Sequence, residues 1–245
     1  MADKTNLYLF GATGRMGMEI RSLLKEDTIA TLVGGASTSR SQGDIEAAHV
    51  LIDFSVPSAL PSVLNHAQSL KKPLVIGTTG LAAEYLSMVE QAARIIPILQ
   101  ASNTSFGIAV MAKLAYLAAQ LLDESYDVEI LEAHHRNKQD APSGTALSLG
   151  NVVAQGRGAD LNVSMVAFDR TGARKHGEIG FSVQRGGGVV GEHTIRFMGD
   201  DEVLEVSHKG LSRRLFAQGA IKAALWLKNQ PAGLYTMQDA LGLSS

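Results

Sequence analysis

The sequence predicts an α/β N-terminal half built on a parallel sheet, followed by an α+β C-terminal half with a mixed or antiparallel sheet. Three observations carry this expectation. Short, almost wholly apolar strand candidates alternate with helical patterns through the first hundred or so residues, which suits a parallel sheet covered on both faces. A glycine-punctuated turn, Gly11-x-x-Gly14-x-x-Gly17, follows the first strand candidate and opens a helix. Beyond Leu122 the strand signals crowd together and alternate apolar with polar. The expected division is a first domain of residues 1–104 plus 213–245 and a second, inserted domain of residues 105–212.

In chain order, Leu7-Tyr8-Leu9-Phe10 reads as the first strand, and Met18, Ile20, Leu23 and Leu24 are the apolar positions of the helix that follows. Thr31 to Gly35 and His49 to Phe54 read as strands, and Pro57 to Leu70 as a helix. Pro73 to Ile76 is a fourth strand, Ala82 to Arg94 a helix, and Ile95 to Leu99 a fifth strand. A helix from about Ile108 to Leu122 leads into the second half. There Val128 to Glu132, Val163 to Phe168, Ile179 to Gln184, Glu192 to Phe197 and Val203 to Ser207 alternate as half-buried strands do. One helix, about Ser143 to Gln155, interrupts them. A last helix, about Arg213 to Lys228, carries apolar Leu215, Ala220, Ala224 and Leu225 and is expected to return to the first domain.

The glycine turn departs from the commonest dinucleotide fingerprint, G-x-G-x-x-G, because Thr13 stands at the second glycine position. It keeps what the chemistry needs. Gly11 suits a tight turn, Gly14 lets backbone approach a pyrophosphate, and Gly17 lets helix and strand pack closely. The free N–H groups at the helix start favour an anion. In this context the first half reads as a Rossmann-like nucleotide-binding sheet rather than a turn without a ligand. Selectivity for NAD commonly rests on an acidic residue about 20 residues past the glycines. The chain has Ala36-Ser37-Thr38-Ser39-Arg40 there, with no carboxylate. Hydroxyls and Arg40 suit a 2′-phosphate, so NADP is expected to be tolerated or preferred; Arg40 as a plain solvated charge is the other reading. Gly77-Thr78-Thr79-Gly80 and Ala101-Ser102-Asn103-Thr104 end the fourth and fifth strands, the edge where ligands of open α/β sheets bind.

Composition narrows the function classes. The 245 residues are 45% hydrophobic and 19% charged with formal net charge -2, so neither nucleic acid nor a charged membrane surface is an expected partner. There is no cysteine, which excludes disulfides and thiol catalysis and accords with the cytoplasm. Met1 to Asn6 run into the first strand without an apolar leader core. No apolar run reaches the ~18 residues of a membrane span. The histidines show no spacing suited to a closed metal site, and no metal is expected.

Chemistry concentrates in Glu132-Ala133-His134-His135-Arg136-Asn137-Lys138-Gln139-Asp140-Ala141-Pro142-Ser143-Gly144-Thr145. Imidazole and ammonium groups move protons. Cations and the N–H groups of a helix start hold carboxylates. A single histidine in such a place is more often structural than catalytic; the cluster reverses that weighting. If the segment is extended, His134 and His135 point opposite ways and only one meets the reacting atom. Arg136 reads as a solvated or interface arginine, Asp53 as a turn cap, and His193 as packed in the second sheet. His176 falls in a glycine- and charge-rich loop, and Arg213 at the junction of the halves.

With both halves in view, the chain resembles the 4-hydroxy-tetrahydrodipicolinate reductase family, formerly called dihydrodipicolinate reductases, nearly end to end. The motifs are Gly11-x-x-Gly14-Arg15-Met16-Gly17, Ile52-Asp53-Phe54-Ser55, Gly77-Thr78-Thr79-Gly80, the segment Glu132 to Thr145, Val190-Gly191-Glu192-His193 and Ala223-Ala224-Leu225-Trp226-Leu227. The resemblance implies reduction of the cyclic substrate to tetrahydrodipicolinate with NADPH or NADH, in the diaminopimelate route to lysine, by a cytoplasmic homotetramer acting on a small dicarboxylate. It also implies His134 and Lys138 as the catalytic pair that handles protons. His135, Ser143, Gly144 and Thr145 become substrate-carboxylate contacts. Gly11, Ala12, Thr13, Gly14, Arg15, Met16, Gly77, Thr78, Thr79, Ala101, Ser102, Asn103 and Thr104 become cofactor contacts. Two departures stand out: the acidic residue that many family members have after the second strand is missing, and Thr104 replaces an aromatic common in the family beside the nicotinamide. Another two-domain dehydrogenase would share the first half without the Glu132 to Thr145 segment. A nucleotide-sensing regulator would carry a DNA-binding helix pair or basic patch. Hydride transfer needs reactants near ~3–3.5 Å, so closure of the second domain over the cofactor is expected.

Overall fold

The computed structural model describes residues 4–37, 40–161, 166–168 and 171–243. The chain forms two compact units, Met1–Phe106 with Arg213–Ser245, and Gly107–Ser212. Thr38, Ser39 and the first part of the strand expected over Val163 to Phe168 lie outside the described residues.

In the first unit, strands β1 (Thr5–Phe10), β2 (Ala30–Ala36), β3 (Ser41–Gly43), β4 (Val50–Asp53), β5 (Leu74–Ile76), β6 (Pro97–Gln100) and β12 (Gly233–Tyr235) form one sheet. Their order is β12-β6-β5-β4-β1-β2-β3. Every pairing is parallel except β2 with β3, which is antiparallel. The sheet reverses direction of growth beside β1, and a ligand crevice belongs at such a switch point. Helices α1 (Arg15–Leu24), α2 (Leu60–Ser69), α3 (Ala83–Ala93) and α6 (Arg214–Leu227) cover it. The central strands are apolar throughout because both faces are covered: all four residues of β4 and all three of β5 are buried. Leu51, Leu60, Leu64, Ile76 and Ile98 belong to one core. As expected from its apolar stripe, α6 packs within this unit, against α1, β4, β5 and β6.

The second unit is a sheet of β7 (Asp127–His134), β8 (Val166–Ala167), β9 (Ile179–Arg185), β10 (Gly191–Met198) and β11 (Val203–Gly210), ordered β11-β10-β7-β9-β8. The pairs β10–β11 and β7–β10 are antiparallel, while β7–β9 and β8–β9 are parallel, so the sheet is mixed. Helices α4 (Phe106–Leu121) and α5 (Gly144–Gly156) supply Met111, Ala115, Leu149 and Val153 to a core with Ile130, Phe181, Ile195 and Phe197.

Some sequence expectations need correction. Met18 is 57% exposed, and α1 buries Gly17, Ile20 and Leu24 instead. Those positions follow the i, i+3, i+7 spacing of one helix face, and Met18 is turned about 100° from Gly17. The segment Pro57 to Leu70 opens with a 3₁₀ turn, Pro57–Ala59, before α2 begins. Strands β3 and β12 had no signal in the sequence, being three residues each and incompletely buried.

Candidate active site

The first unit gathers the glycine turn and three strand ends. Gly11 has φ +80°, and a Cβ there would stand 2.2 Å from the Phe54 carbonyl oxygen. Only glycine tolerates both the left-handed backbone and that approach. The Gly11 and Ala12 N–H groups donate to the Ala36 carbonyl, at 2.9 and 3.0 Å, fastening the turn to the end of β2. Gly14 caps α1 with no side-chain hydrogen bond, and the first turn holds no acid. The first intrahelical bond runs from Met18 N–H to Gly14 oxygen. The N–H groups of Arg15, Met16 and Gly17 therefore have no intrahelical acceptor, and with the positive end of the helix they fit a pyrophosphate. A Cβ on Gly17 would lie 2.2 Å from Gly11 oxygen, so the helix can sit this close only with glycine there.

A cavity of about 230 Å³ opens beside this turn, lined by Phe10, Gly11, Thr13, Gly14, Ala36, Ser37, Phe54, Ser55, Val56, Ala59 and Val63. Among the described residues, none that lines it carries a carboxylate. Ser37 directly follows the end of β2, and its N–H donates to the Arg40 carbonyl at 2.8 Å. The Arg40 side chain is exposed and is not part of the lining.

Two further turns adjoin the sheet edge. Thr78 is buried and donates to Asp53 Oδ2 at 2.7 Å. Asp53 Oδ1 accepts the Ser55 N–H at 3.0 Å and its hydroxyl at 2.5 Å. Asp53 thus caps a turn as expected, and also ties β4 to the turn after β5. Burial pushes its carboxyl above the usual range, opposed by the bonds from Ser55 and Thr78. Gly77 is buried against the Phe54 ring, while Thr79 is exposed. After β6, Ala101 N–H donates to Ile76 oxygen at 3.0 Å, and Asn103 Oδ1 accepts the Ser105 N–H at 2.9 Å. Ser102 is exposed. Thr104 is 2% exposed, and its hydroxyl donates to the Phe216 carbonyl of α6 at 2.8 Å.

In the second unit, the covered face of β7 runs Val128, Ile130, Glu132, His134. It turns from apolar to polar at its C-terminal end, where α5 starts. Glu132 is 3% and His134 9% exposed. His134 Nδ1 lies 2.5 Å from Glu132 Oε2, within hydrogen-bond distance. The strand register sets Arg185 of β9 opposite His134 and His193 of β10 opposite Glu132. Arg185 grips Glu132 with both terminal nitrogens, each at 2.7 Å. His193 stands edge-on to the His134 ring, centroids 5.2 Å apart, and its Nε2 lies 3.2 Å from Ser143 Oγ. Lys138, in the turn after β7, pairs with Asp140 at 2.8 Å.

Ser143 caps α5: its hydroxyl accepts the Ala146 N–H at 3.1 Å, while its own N–H donates to Glu132 Oε1 at 2.9 Å. The first intrahelical bond runs from Leu147 N–H to Ser143 oxygen. The Gly144 N–H group therefore has no intrahelical acceptor. Gly144 is exposed, and a Cβ there would meet nothing within 4 Å. Such a helix start, with a cation nearby, suits a carboxylate. His135 is half-buried, and Arg136 is exposed.

Burial holds the His134 ring below the usual imidazole range, against the opposing pull of Glu132. It drives His193 down to about 4, with the neighbouring His134 adding to the effect. Burial also acts to raise Glu132, but the bonds from Arg185, His134 and Ser143 together outweigh it and keep the carboxyl low. The result is a neutral imidazole on a fixed carboxylate, in the same region as the Lys138 ammonium group and the start of α5. That arrangement can give or take a proton at a bound anion.

The expected residues His134, Lys138, Ser143, Gly144 and Thr145 fall in this one region. Glu132, Arg185 and Asp140 belong to it too, though none was singled out for a role, as does His193, which was read only as packed in the second sheet. Glu132 was legible, since a residue two before His134 on a strand shares its face. Arg185 arrives from another strand and left no local signal; His193, read as packed in the second sheet, is indeed buried in β10.

Comparison with known proteins agrees with both units. The family model described as dihydrodipicolinate reductase, N-terminus, matches residues 5–104, and that described as dihydrodipicolinate reductase, C-terminus, matches residues 107–241. The chain is 44% identical to a 4-hydroxy-tetrahydrodipicolinate reductase of Zymomonas mobilis, covering 98% of each chain. It is 42% identical to one of Caulobacter vibrioides, covering 99% of each. Among solved structures, a dipicolinate-bound dihydrodipicolinate reductase from Paenisporosarcina aligns over 97% of this chain and 99% of its own, with TM-score 0.77 and 21% identity. An engineered D-amino acid dehydrogenase bound to NADP+ shares the fold at TM-score 0.56 and 16% identity, over 96% of this chain and 93% of its own. With both family models matched in order and relatives this similar along the whole chain, the protein belongs to the dihydrodipicolinate reductase family.

Proposed function

We propose that the chain reduces 4-hydroxy-tetrahydrodipicolinate, by way of dihydrodipicolinate, to tetrahydrodipicolinate, within the diaminopimelate route to lysine. The observation that carries this reading is the constellation at the end of β7. His134, Lys138 and the Ser143-capped start of α5 adjoin one another there, in a chain whose relatives bear the name of that reductase. NAD(P)H supplies the hydride when bound. The first unit holds the nucleotide: the N–H groups of Arg15, Met16 and Gly17 take the pyrophosphate, and the turns at Gly77 to Thr79 and Ala101 to Thr104 flank the ring. At Thr104 the contact falls to the backbone, since its hydroxyl is engaged by Phe216.

In the second unit, the Gly144 N–H group, Thr145 and His135 hold a substrate carboxylate, while Ser143, buried and bonded to Glu132 and Ala146, sets the helix start that carries them. The Paenisporosarcina relative contains dipicolinate, a flat dicarboxylate of the size this site would take. Hydride addition leaves electron density on the ring nitrogen or an adjacent carbon, and a positioned acid must supply the balancing proton. Lys138 and His134 are that acid and its relay. NADPH is the favoured donor, because the cavity beside Ser37 has no carboxylate to repel a 2′-phosphate. The subunits form a cytoplasmic homotetramer; the exposed Val203 and Leu204 on the edge strand β11 support an interface there. The test of the activity is steady-state oxidation of NADPH and NADH with substrate made in situ by the preceding synthase. Absence of substrate-dependent oxidation of either would refute it.

A further inference from the structure

Four donors converge on the Glu132 carboxylate. Oε2 accepts from His134 Nδ1 at 2.5 Å and from Arg185 Nη1 at 2.7 Å. Oε1 accepts from the Ser143 N–H at 2.9 Å and from Arg185 Nη2 at 2.7 Å. A carboxyl this deeply buried would take up a proton if it stood alone. Here a bidentate guanidinium balances its charge and every lone-pair direction has a donor.

An ionised carboxylate only accepts hydrogen bonds, so the hydrogen between it and His134 belongs to Nδ1. On the neutral ring, Nε2 then carries a lone pair and no hydrogen. That nitrogen faces Gly191 of β10, where a Cβ would stand 3.1 Å away. Glycine keeps the approach to Nε2 clear. The other charged or titratable groups around the ring are Lys138 in the following turn with its partner Asp140, Arg185 on β9 and His193 on β10. Lys138 and Arg185 disfavour a second proton on the ring, and Glu132 favours it.

We infer that Glu132 is a positioning residue: paired with Arg185, it locks His134 in the Nδ1–H tautomer. Nε2 therefore meets the substrate as a proton acceptor while the ring is neutral, and donates only after the ring has taken a second proton. The same carboxylate fixes the Ser143 N–H, so one group sets both the proton relay and the start of the carboxylate-binding helix. The inference rests on the reading of His134 as a proton-handling residue.

The test is nitrogen-15 NMR of the histidine rings in the full chain at about pH 7. The His134 signals are identified by their absence from His134→Gln. The expected wild-type spectrum has the hydrogen on Nδ1 and a bare Nε2. In Glu132→Gln the amide oxygen can keep the Ser143 N–H only by turning its NH₂ toward His134. The tautomer should then switch to Nε2–H, kcat should fall at least about tenfold, and the His134-linked limb of the pH profile should move to lower pH. Glu132→Asp, which keeps the charge, should restore the Nδ1–H form. Should Glu132→Gln fail to fold beside Arg185, Glu132→Gln/Arg185→Met gives the same reading. A wild-type ring carrying its hydrogen on Nε2 overturns the inference, as does a folded Glu132→Gln protein with an unchanged tautomer and pH profile. Full turnover in His134→Gln would instead overturn the catalytic reading and leave the tautomer result standing.

Discussion

Thr78 donates its hydroxyl to Asp53 across 2.7 Å, between the turn that follows β5 and the last residue of β4. Both side chains are buried, so neither can exchange its partner for water. Replacing Thr78 by Val removes the donor and leaves a buried acceptor short of one bond. The expected cost is about 1–3 kcal/mol, read as a lower urea midpoint with an unchanged slope. NADPH affinity should fall with it, because the same turn is proposed to flank the cofactor. An unaltered midpoint would mean that Ser55 alone satisfies Asp53.

Lys138 should matter to turnover and not to nucleotide binding. Its ammonium sits beside Asp140, and its stem is mostly covered. Lys138→Ala is expected to lower kcat by about 10²–10⁴-fold, the usual reach of a positioned proton donor. Fluorescence titration should show NADPH affinity within about twofold of wild type. Undiminished turnover at saturating substrate would remove Lys138 from the mechanism.

Cofactor choice should be adjustable at the end of β2. Ser37 lines the cavity where a carboxylate would select against a 2′-phosphate. In Ser37→Asp, the ratio of kcat/KM for NADPH over NADH should drop about tenfold or more, equivalent to ~1.4 kcal/mol. Arg40→Ala should weaken NADPH alone, by a smaller factor, since that side chain stands outside the lining. A ratio unmoved by Ser37→Asp would place the ribose elsewhere.

His193 makes stability depend on acidity. Its ring is neutral in the folded chain down to about pH 4, against 6.5 for an ordinary imidazole. The unfolded chain therefore binds the extra proton first, and stability falls as pH drops from 6.5 toward 4. Above 6.5 the contribution is complete. His193→Asn keeps a polar partner for Ser143 and cannot titrate. Its unfolding free energy should decline less steeply over that window, the difference being of order 1–3 kcal/mol. Parallel curves for the two proteins would assign the acid sensitivity to other groups.

The sequence was most legible where burial imposes a period. Strands β1, β4 and β5 could be read because both their faces are covered, and α5 because Ser143 caps its start. Met18 misled because hydrophobicity alone does not say which face of α1 is inward. Strands β3 and β12 escaped because pairing, not side-chain pattern, defines them. In the site, residues on one segment were visible together. The meeting of Arg185 and His193 with that segment was not, because strand register brings them beside residues 51 and 61 positions earlier. Thr104 shows the converse: its place in the sequence suggested a ligand, while its hydroxyl is committed to Phe216.

The first unit is split in the chain, and this governs the order in which it can be finished. A ribosome delivers β1 to β6 long before α6 and β12, with the whole second unit between them. Until then β6 is an open edge, and the face that α6 will cover on β4 and β5 is bare. The second unit, continuous in sequence, has no such delay. Nascent chains should thus pass through a stage with a completed C-terminal core and a sticky, unfinished sheet, the form most exposed to aggregation and most in need of a chaperone.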